Sequence, residues 1–342
     1  MTDRILDFKP FSSPKFSEFT TFFEKLISHK GKDISNIEDD DIDSIIRYLS
    51  IKQKSLLIEY LEQSVRPIVG KILPFNRFGD AIFAYVRFVL LHRRRPKLEH
   101  RFNDVLYHIK TSDEILNPLR VFVSDKEYVK LYIKEQVGDR YNIPTLAILR
   151  NESNVDQFTP RQDCAIKPTH SCGEYIFFKS GGSVDKNRMK NWFFHNYYYV
   201  TREANYKHLR PKIIVEPLIF QPKMAVDYKV FCVHGVPKMI KVDFDRHVKH
   251  LRKFYDVNWQ PLPFSWNSPP TENGVEKPKN LNEILYLAGR LSERFNFVRV
   301  DFYITRNNIF VGEITNCDGS ADNIFYPAGG ENIASDICFG PS

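Results

Sequence analysis

In the first third of the chain, apolar residues recur three or four positions apart. From about Val121 onward they recur two apart, in short β-branched runs. The first spacing is that of a helix face, and the second that of a strand with one side buried. Ile42, Ile45, Ile46 and Leu49 keep the helical spacing, as do Leu57, Ile58, Leu61 and Val65. Asp39, Asp40 and Asp41 stand where a helix N-terminus favours negative charge. A helical N-terminal region over 1–80 is therefore expected, followed by an α+β or α/β domain over 81–342. Strands are expected at Ala147–Leu149, Cys164–Pro168, Tyr175–Lys179, Lys212–Glu216, Tyr228–Val233 and Lys238–Asp243. Ser124 to Ile133 reads as helical. A further helix from Leu281 to Phe295 carries Ile284, Ala288 and Leu291 on one face, with Asn280 and Glu283 as a capping box. Ser265 to Lys279, rich in Pro, Asn and Ser, reads as a surface loop.

The most telling alternation comes late. In Val298–Ile304, Arg299 and Asp301 share one face while Val298, Val300, Phe302 and Ile304 take the other. A second strand, Ile309–Thr315, carries Glu313. A three-residue hairpin loop at 306–308 puts Asp301 directly opposite Glu313, within the short reach of cross-strand neighbours. A two-residue turn puts the acids on opposite faces unless a bulge intervenes. Facing carboxylates repel unless a proton or cation sits between them, and Mg²⁺ sharing its shell with phosphate suits such a pair. A solvated acidic edge is the plain alternative.

Composition adds bounds. The 42% hydrophobic content supports a substantial core. No run of about 18 apolar residues exists, and the N-terminus lacks a signal peptide's apolar core. Five cysteines without CxxC spacing suggest free thiols, hence a cytoplasmic expectation. The net charge of +7 points to an anionic partner. Arg93, Arg94 and Arg95 end an apolar stretch before Pro96. They either complement a helix C-terminus, which is the favoured reading, or meet the inner face of an anionic membrane. No nucleic-acid motif accompanies them.

Lys126, Lys167 and Lys229 fall at element ends or on strands, where an inward lysine needs an anion. Lys167 leads into Pro168-Thr169-His170-Ser171-Cys172-Gly173, a turn whose amides and hydroxyls can face phosphate or simply close a hairpin. The order of these features resembles the TupA-like ATP-grasp family of bacterial polysaccharide gene clusters. Arg101–Lys126, Lys167–His170, Asn196–Glu216, Asp227–Cys232 and Val298–Glu313 carry the resemblance.

That resemblance implies an ATP-grasp fold with ATP between two α+β subdomains. Lys126 and Lys167 would hold phosphates, and Thr169, His170, Ser171 and Gly173 would form a lid over them. Glu216, Pro217 and Ile219 would line the adenine, and Asp227 would meet the ribose. Asp301, Glu313 and Asn316 would hold Mg²⁺; Arg299 and Lys229 would serve the transferring phosphoryl group. The chain departs from the pattern at Thr169, Ser171 and Cys172. It departs again at Thr315, where the fold commonly has an amide ligand, Asn316 being one step further. The implied activity is an ATP- and magnesium-dependent ligase that forms an acyl phosphate and passes it to an amine. The acceptor would be a uronic acid of a surface glycan and the amine donor an amino acid, with Arg246 in an acidic-acceptor site. A sugar phosphotransferase and a non-catalytic nucleotide-binding scaffold are the alternatives.

Overall fold

The computed structural model describes residues 73–97, 100–219, 226–244, 251–305 and 308–340, all inside one compact unit, Ser55–Ser342. The helices expected within 1–72 lie outside the described residues, as does Arg246. Helix α1 (Arg77–His92) spans the expected boundary at 80/81. Its N-cap, Asn76, accepts from the Gly79 amide at 2.9 Å. Then come α2 (Phe102–Thr111), α3 (Pro118–Ser124) and α4 (Tyr128–Val137). The Ser124–Ile133 helix is in fact interrupted. Asp125 is extended, and its Oδ1 accepts from the amides of Glu127 and Tyr128 at 2.8 and 3.3 Å. A short acidic side chain that bonds nearby amides in this way starts a helix instead of continuing one.

The remaining chain builds three sheets. Strands β1 (Ala147–Leu149), β2 (Cys164–Pro168), β3 (Ile176–Phe178) and β4 (Ile213–Pro217) form an antiparallel sheet in the order β1-β4-β2-β3, joined by α5 (Glu152–Gln157), α6 (Lys186–Asn191) and α7 (Tyr198–Thr201). Strands β5 (Asp227–Val233), β6 (Val236–Phe244) and β7 (Leu251–Asp256) belong to a second sheet. After β8 (Ser265–Trp266) and α8 (Leu281–Ser292), β9 (Phe297–Ile304) and β10 (Ile309–Thr315) complete it in the order β10-β9-β5-β6-β7, again antiparallel. Strand β11 (Phe325–Tyr326) pairs with β8, and α9 (Gly330–Phe339) closes the described chain.

Two expectations fail here. Ser265 and Trp266 are not surface loop but a buried strand, because Trp266 packs against Phe102, Phe231 and Phe254. Asn280 makes no side-chain cap; Glu283 instead accepts from the Tyr141 hydroxyl at 2.7 Å.

The five-stranded sheet has two unlike faces. One is largely apolar: Tyr228, Val230, Ile240, Val242, Val298, Val300 and Phe302 pack on Ile284, Leu287, Ala288 and Leu291 of α8. The periodicity of α8 is what this face selects, and each large aliphatic buried there contributes roughly 1.5–3 kcal/mol. The other face changes character along its strands. At one end Phe231, Met239 and Phe297 pack under Phe102 and Leu106 of α2. Two residues further along the same strands stand Lys229, Lys241 and Arg299. The switch from apolar to charged within one pleat positions the site.

Candidate active site

Asp301 lies opposite Glu313 across β9/β10 and opposite Lys229 across β9/β5. The first pairing arises by a route other than the three-residue loop. Ile304 pairs with Ile309, and the Thr305 amide donates to the Asn308 carbonyl at 2.9 Å. Continued unbroken, that register would set Asp301 opposite Gly312. A bulge between Val311 and Glu313 skips Gly312 and restores the carboxylate pair. Glycine suits the skipped position, since a Cβ there would sit 2.6 Å from the Tyr303 ring and would have to displace it.

Arg299 organises the cluster. Its Nε donates to Asp301 Oδ1 at 2.6 Å, and its Nη2 to Asp301 Oδ2 at 2.7 Å and to Glu313 Oε1 at 3.0 Å. Its Nη1 donates to Asp318. Lys229 Nζ donates to Asp301 Oδ2 at 2.6 Å and to Asp227 Oδ2 at 3.3 Å, and Lys241 Nζ to Asp318 Oδ1 at 3.2 Å. All these residues but Glu313 are buried. Burial alone would raise the Asp301 pKa, but Arg299 and Lys229 outweigh it and hold the carboxyl well below its usual range. Burial likewise opposes the charge on Lys229, and Asp301 restores it. Lys241, buried beside Arg299, is pushed well below the ordinary lysine value.

A second cluster lies on the four-stranded sheet. Lys167 Nζ donates to Glu216 Oε2 at 2.7 Å, and Lys130 Nζ reaches Glu216 Oε1 at 2.5 Å. Lys130 also donates to the Ile143 carbonyl at 2.5 Å. Glu216 is buried; Lys167 and Lys130 overcome the burial penalty and keep its pKa below the usual value. Lys126 Nζ donates to the Ser171 carbonyl. Pro217 pairs with Cys164, Ile219 is half-buried, and the Leu218 amide donates to the Asp163 carbonyl at 3.3 Å.

Several expected roles do not match the positions found. The Thr169 hydroxyl bonds Asp125 at 3.2 Å and is fully buried. His170 is sealed in: Nε2 lies 3.0 Å from the Trp192 carbonyl, and Nδ1 accepts from the Lys212 amide at 3.4 Å. Burial lowers its pKa, so the ring is neutral and acts as a brace for the turn. The Ser171 hydroxyl is turned to Glu174 at 3.2 Å. Of the turn, Cys172 and Gly173 are exposed, Gly173 at φ 79° with open space where a side chain would be. Glu216 offers its carboxylate to lysines instead of a base. Asp227 belongs to the Lys229 cluster and is 2% exposed. Asn316 faces away from the acids: its Nδ2 donates to the Arg120 carbonyl at 3.0 Å, and its Oδ1 accepts from Arg120 Nη1 at 3.0 Å. Thr315 is the neighbour that reaches the site, with its hydroxyl 3.0 Å from Glu313 Oε1.

Of the three arginines, Arg94 is turned inward. Helix α1 stops at His92 with Arg93 at φ 56°. Arg94 then grips Asp104 at 2.8 and 2.5 Å and Glu331 at 3.1 Å. No helix among the described residues is long and apolar enough to cross a membrane.

The donor set fits a magnesium–nucleotide complex. Asp301 Oδ2 and Glu313 Oε1 both lie within hydrogen-bond distance of a single atom, Arg299 Nη2, so two hard oxygen donors converge. Among the described residues no three His, Cys, Asp or Glu side chains form a closed metal cage. A two-carboxylate set of this kind suits an ion that keeps water and phosphate in its shell.

The TupA-like ATP-grasp profile matches residues 107–334, two thirds of the chain. The chain belongs to the TupA-like ATP-grasp family. Membership agrees with the α+β architecture described above. No curated protein matches the chain in a comparable search. Among solved structures, it is similar to a D-alanine–D-alanine ligase from Helicobacter pylori, at 16% identity and a TM-score of 0.33. That match covers 59% of this chain and 56% of the other. The Bacillus anthracis D-alanine–D-alanine ligase matches at 15% identity and a TM-score of 0.37, covering 64% of each chain. The ATP-grasp ligase PsnB with a phosphomimetic precursor variant, Mg and ADP matches at 10% identity and a TM-score of 0.36, covering 61% of this chain and 53% of the other. The chain thus spans between about half and two thirds of the length of these proteins.

Asp318, Lys130 and Lys241 escape the sequence reading. Lys130 follows Lys126 by four residues, a usable hint had the helix boundary been known. Lys241 alternates with Asp243 on a strand, as Lys229 does with Asp227. Asp318 lies in a turn and carries no periodic signal.

Proposed function

We propose that this family member is a carboxylate–amine ligase acting through an acyl phosphate, and that it amidates a uronic acid of a bacterial surface polysaccharide. The observation that carries the catalytic part is Arg299, held bidentate on Asp301 and bonded to Glu313 by the same guanidinium. Magnesium bound by Asp301 and Glu313 would neutralise phosphate charge. Arg299 and Lys229 supply fixed positive charge beside those carboxylates, where preorganised donors stabilise a transferring phosphoryl group best. Lys167 exchanges one Glu216 oxygen for a phosphate oxygen while Lys130 keeps the other. Lys126, now on the Ser171 carbonyl, holds the turn close to that phosphate. Gly173 supplies the freedom the lid needs. The amine, an amino acid in this reading, displaces phosphate from the acyl phosphate as the C–N bond forms.

The glycan half of the reading draws on the family alone. It is tested by incubating the full chain with Mg²⁺-ATP, glucuronic acid and a mixture of the amino acids. ADP, free phosphate and a new amide mass are expected. Phosphate retained on the sugar would replace ligation by phosphotransfer, and nucleotide binding without turnover on any uronic acid would favour a scaffold.

A further inference from the structure

Gly319, Ser320 and Ala321 have successive φ values of 57°, 60° and 65°. Residues with a Cβ adopt that conformation only where their surroundings impose it. The imposing groups can be named. His92 Nε2 donates to the Ala321 carbonyl at 2.7 Å, and burial lowers its pKa, which keeps the ring neutral. Arg87 donates through Nε and Nη2 to Asp322 Oδ2 at 3.0 and 2.6 Å. Lys110 Nζ donates to the Ser320 carbonyl at 3.3 Å, and the Ser320 hydroxyl donates to buried Glu203. The residue that opens this turn is Asp318, which accepts from Arg299 Nη1.

Arg87 and His92 both belong to α1, which ends before the family-matched segment begins. Apolar residues such as Phe83 and Phe88 already seat that helix. Its polar groups at 87 and 92 nevertheless converge on two adjacent residues of a single turn. We propose that α1 is part of the catalytic apparatus, and that Arg87 and His92 are positioning residues that hold the 319–321 turn so that Asp318 keeps Arg299 aimed at the transferring phosphoryl group. This rests on the reading of Arg299 given above. Asp80 of α1 adds to the same frame. Its Oδ1 accepts from the Tyr198 hydroxyl at 2.8 Å and from Arg202 Nη1 at 3.2 Å, just before Glu203.

The test is calorimetric affinity for Mg²⁺-ADP with and without aluminium fluoride, which mimics the phosphoryl group in flight, using the full chain. Wild type should bind the ternary mimic much more tightly than ADP alone. Arg87→Met and His92→Phe should keep ADP affinity within about threefold yet lose at least about tenfold of that tightening, about 1.4 kcal/mol. Arg87→Lys and His92→Gln, which retain a donor, should recover part of it. Asp322→Asn weakens the same contact from the other side by removing its charge, and serves if Arg87→Met does not fold. Full tightening in folded Arg87→Met, His92→Phe and Asp322→Asn would overturn the positioning role and leave Arg299 untouched. Absence of tightening in wild type would overturn the Arg299 reading, and the positioning role with it.

Discussion

The two cation–carboxylate clusters use the same chemistry to different ends. On the four-stranded sheet, Lys167 has a side chain 22% exposed and a single carboxylate partner, Glu216, which it shares with Lys130. On the five-stranded sheet, Arg299 is 9% exposed and bonds Asp301, Glu313 and Asp318 together. Under the proposed function the first serves exchange: phosphate would take the place of one Glu216 oxygen while Lys130 keeps the carboxylate neutralised. The second is arranged for permanence, since each partner fixes the guanidinium along a different direction. Removing one partner of a buried ion pair costs far more than removing one of a wet pair, because the other charge is left stranded.

That contrast sets the order of expected effects. Asp301→Ala removes the carboxylate that Arg299 and Lys229 share, leaving Arg299 to Glu313 and Asp318 and Lys229 to Asp227 alone. It should lower unfolding free energy by about 3–5 kcal/mol, measured by urea titration, and abolish stabilisation by Mg²⁺-ATP. A loss no greater than that of Glu216→Ala would mean the two clusters are equally rigid. Gly312→Ala should cost about 1–3 kcal/mol by forcing Tyr303 off the bulge, and it should weaken magnesium dependence by disturbing the Asp301–Glu313 register. Relief of both defects by Gly312→Ala with Tyr303→Ala would tie them to the ring; persistence would place the strain in the backbone.

Acid should act in two stages. His92 and His170 have lowered pKa values, so their contribution is present above the unfolded value, about 6.5, and is lost as pH falls below it. Asp301 and Glu216 also have lowered values. Their contribution holds above about pH 4 and is lost as pH falls toward their folded values. A melting profile from pH 7 to 3 should show both declines, with His170→Gln reducing the first. A profile flat from pH 7 to 5 would contradict the sealed, neutral imidazoles.

The alternation of Val298, Val300 and Phe302 with Arg299 and Asp301 made the acidic strand legible. So did the helical spacing of Ile284, Ala288 and Leu291. Both patterns follow from one buried face, which a sequence displays directly. What stayed hidden depended on local backbone. The bulge at Gly312 shows in the sequence as one glycine among fifteen, yet it decides which residue faces Asp301. Thr169 and His170 sit in a turn whose hydroxyl and imidazole point inward, and side-chain direction in a turn has no period to read. Asp318 reaches Arg299 only because the next three residues are left-handed, a conformation imposed from α1, α2 and Glu203, far away in sequence. Strand β7 was hidden for a related reason: its adjacent cations Arg252 and Lys253 fall on opposite faces, so no alternation shows.

The most direct measurement is thermal stabilisation by Mg²⁺-ATP in wild type, Lys167→Ala and Glu313→Gln. Nucleotide at 100 times its dissociation constant should stabilise wild type by about 2.7 kcal/mol. Lys167→Ala should shrink that shift with or without magnesium, and Glu313→Gln should shrink only its magnesium-dependent part. No shift in wild type at millimolar Mg²⁺-ATP, or a wild-type shift unchanged in both variants, would contradict a nucleotide site shared between the two clusters.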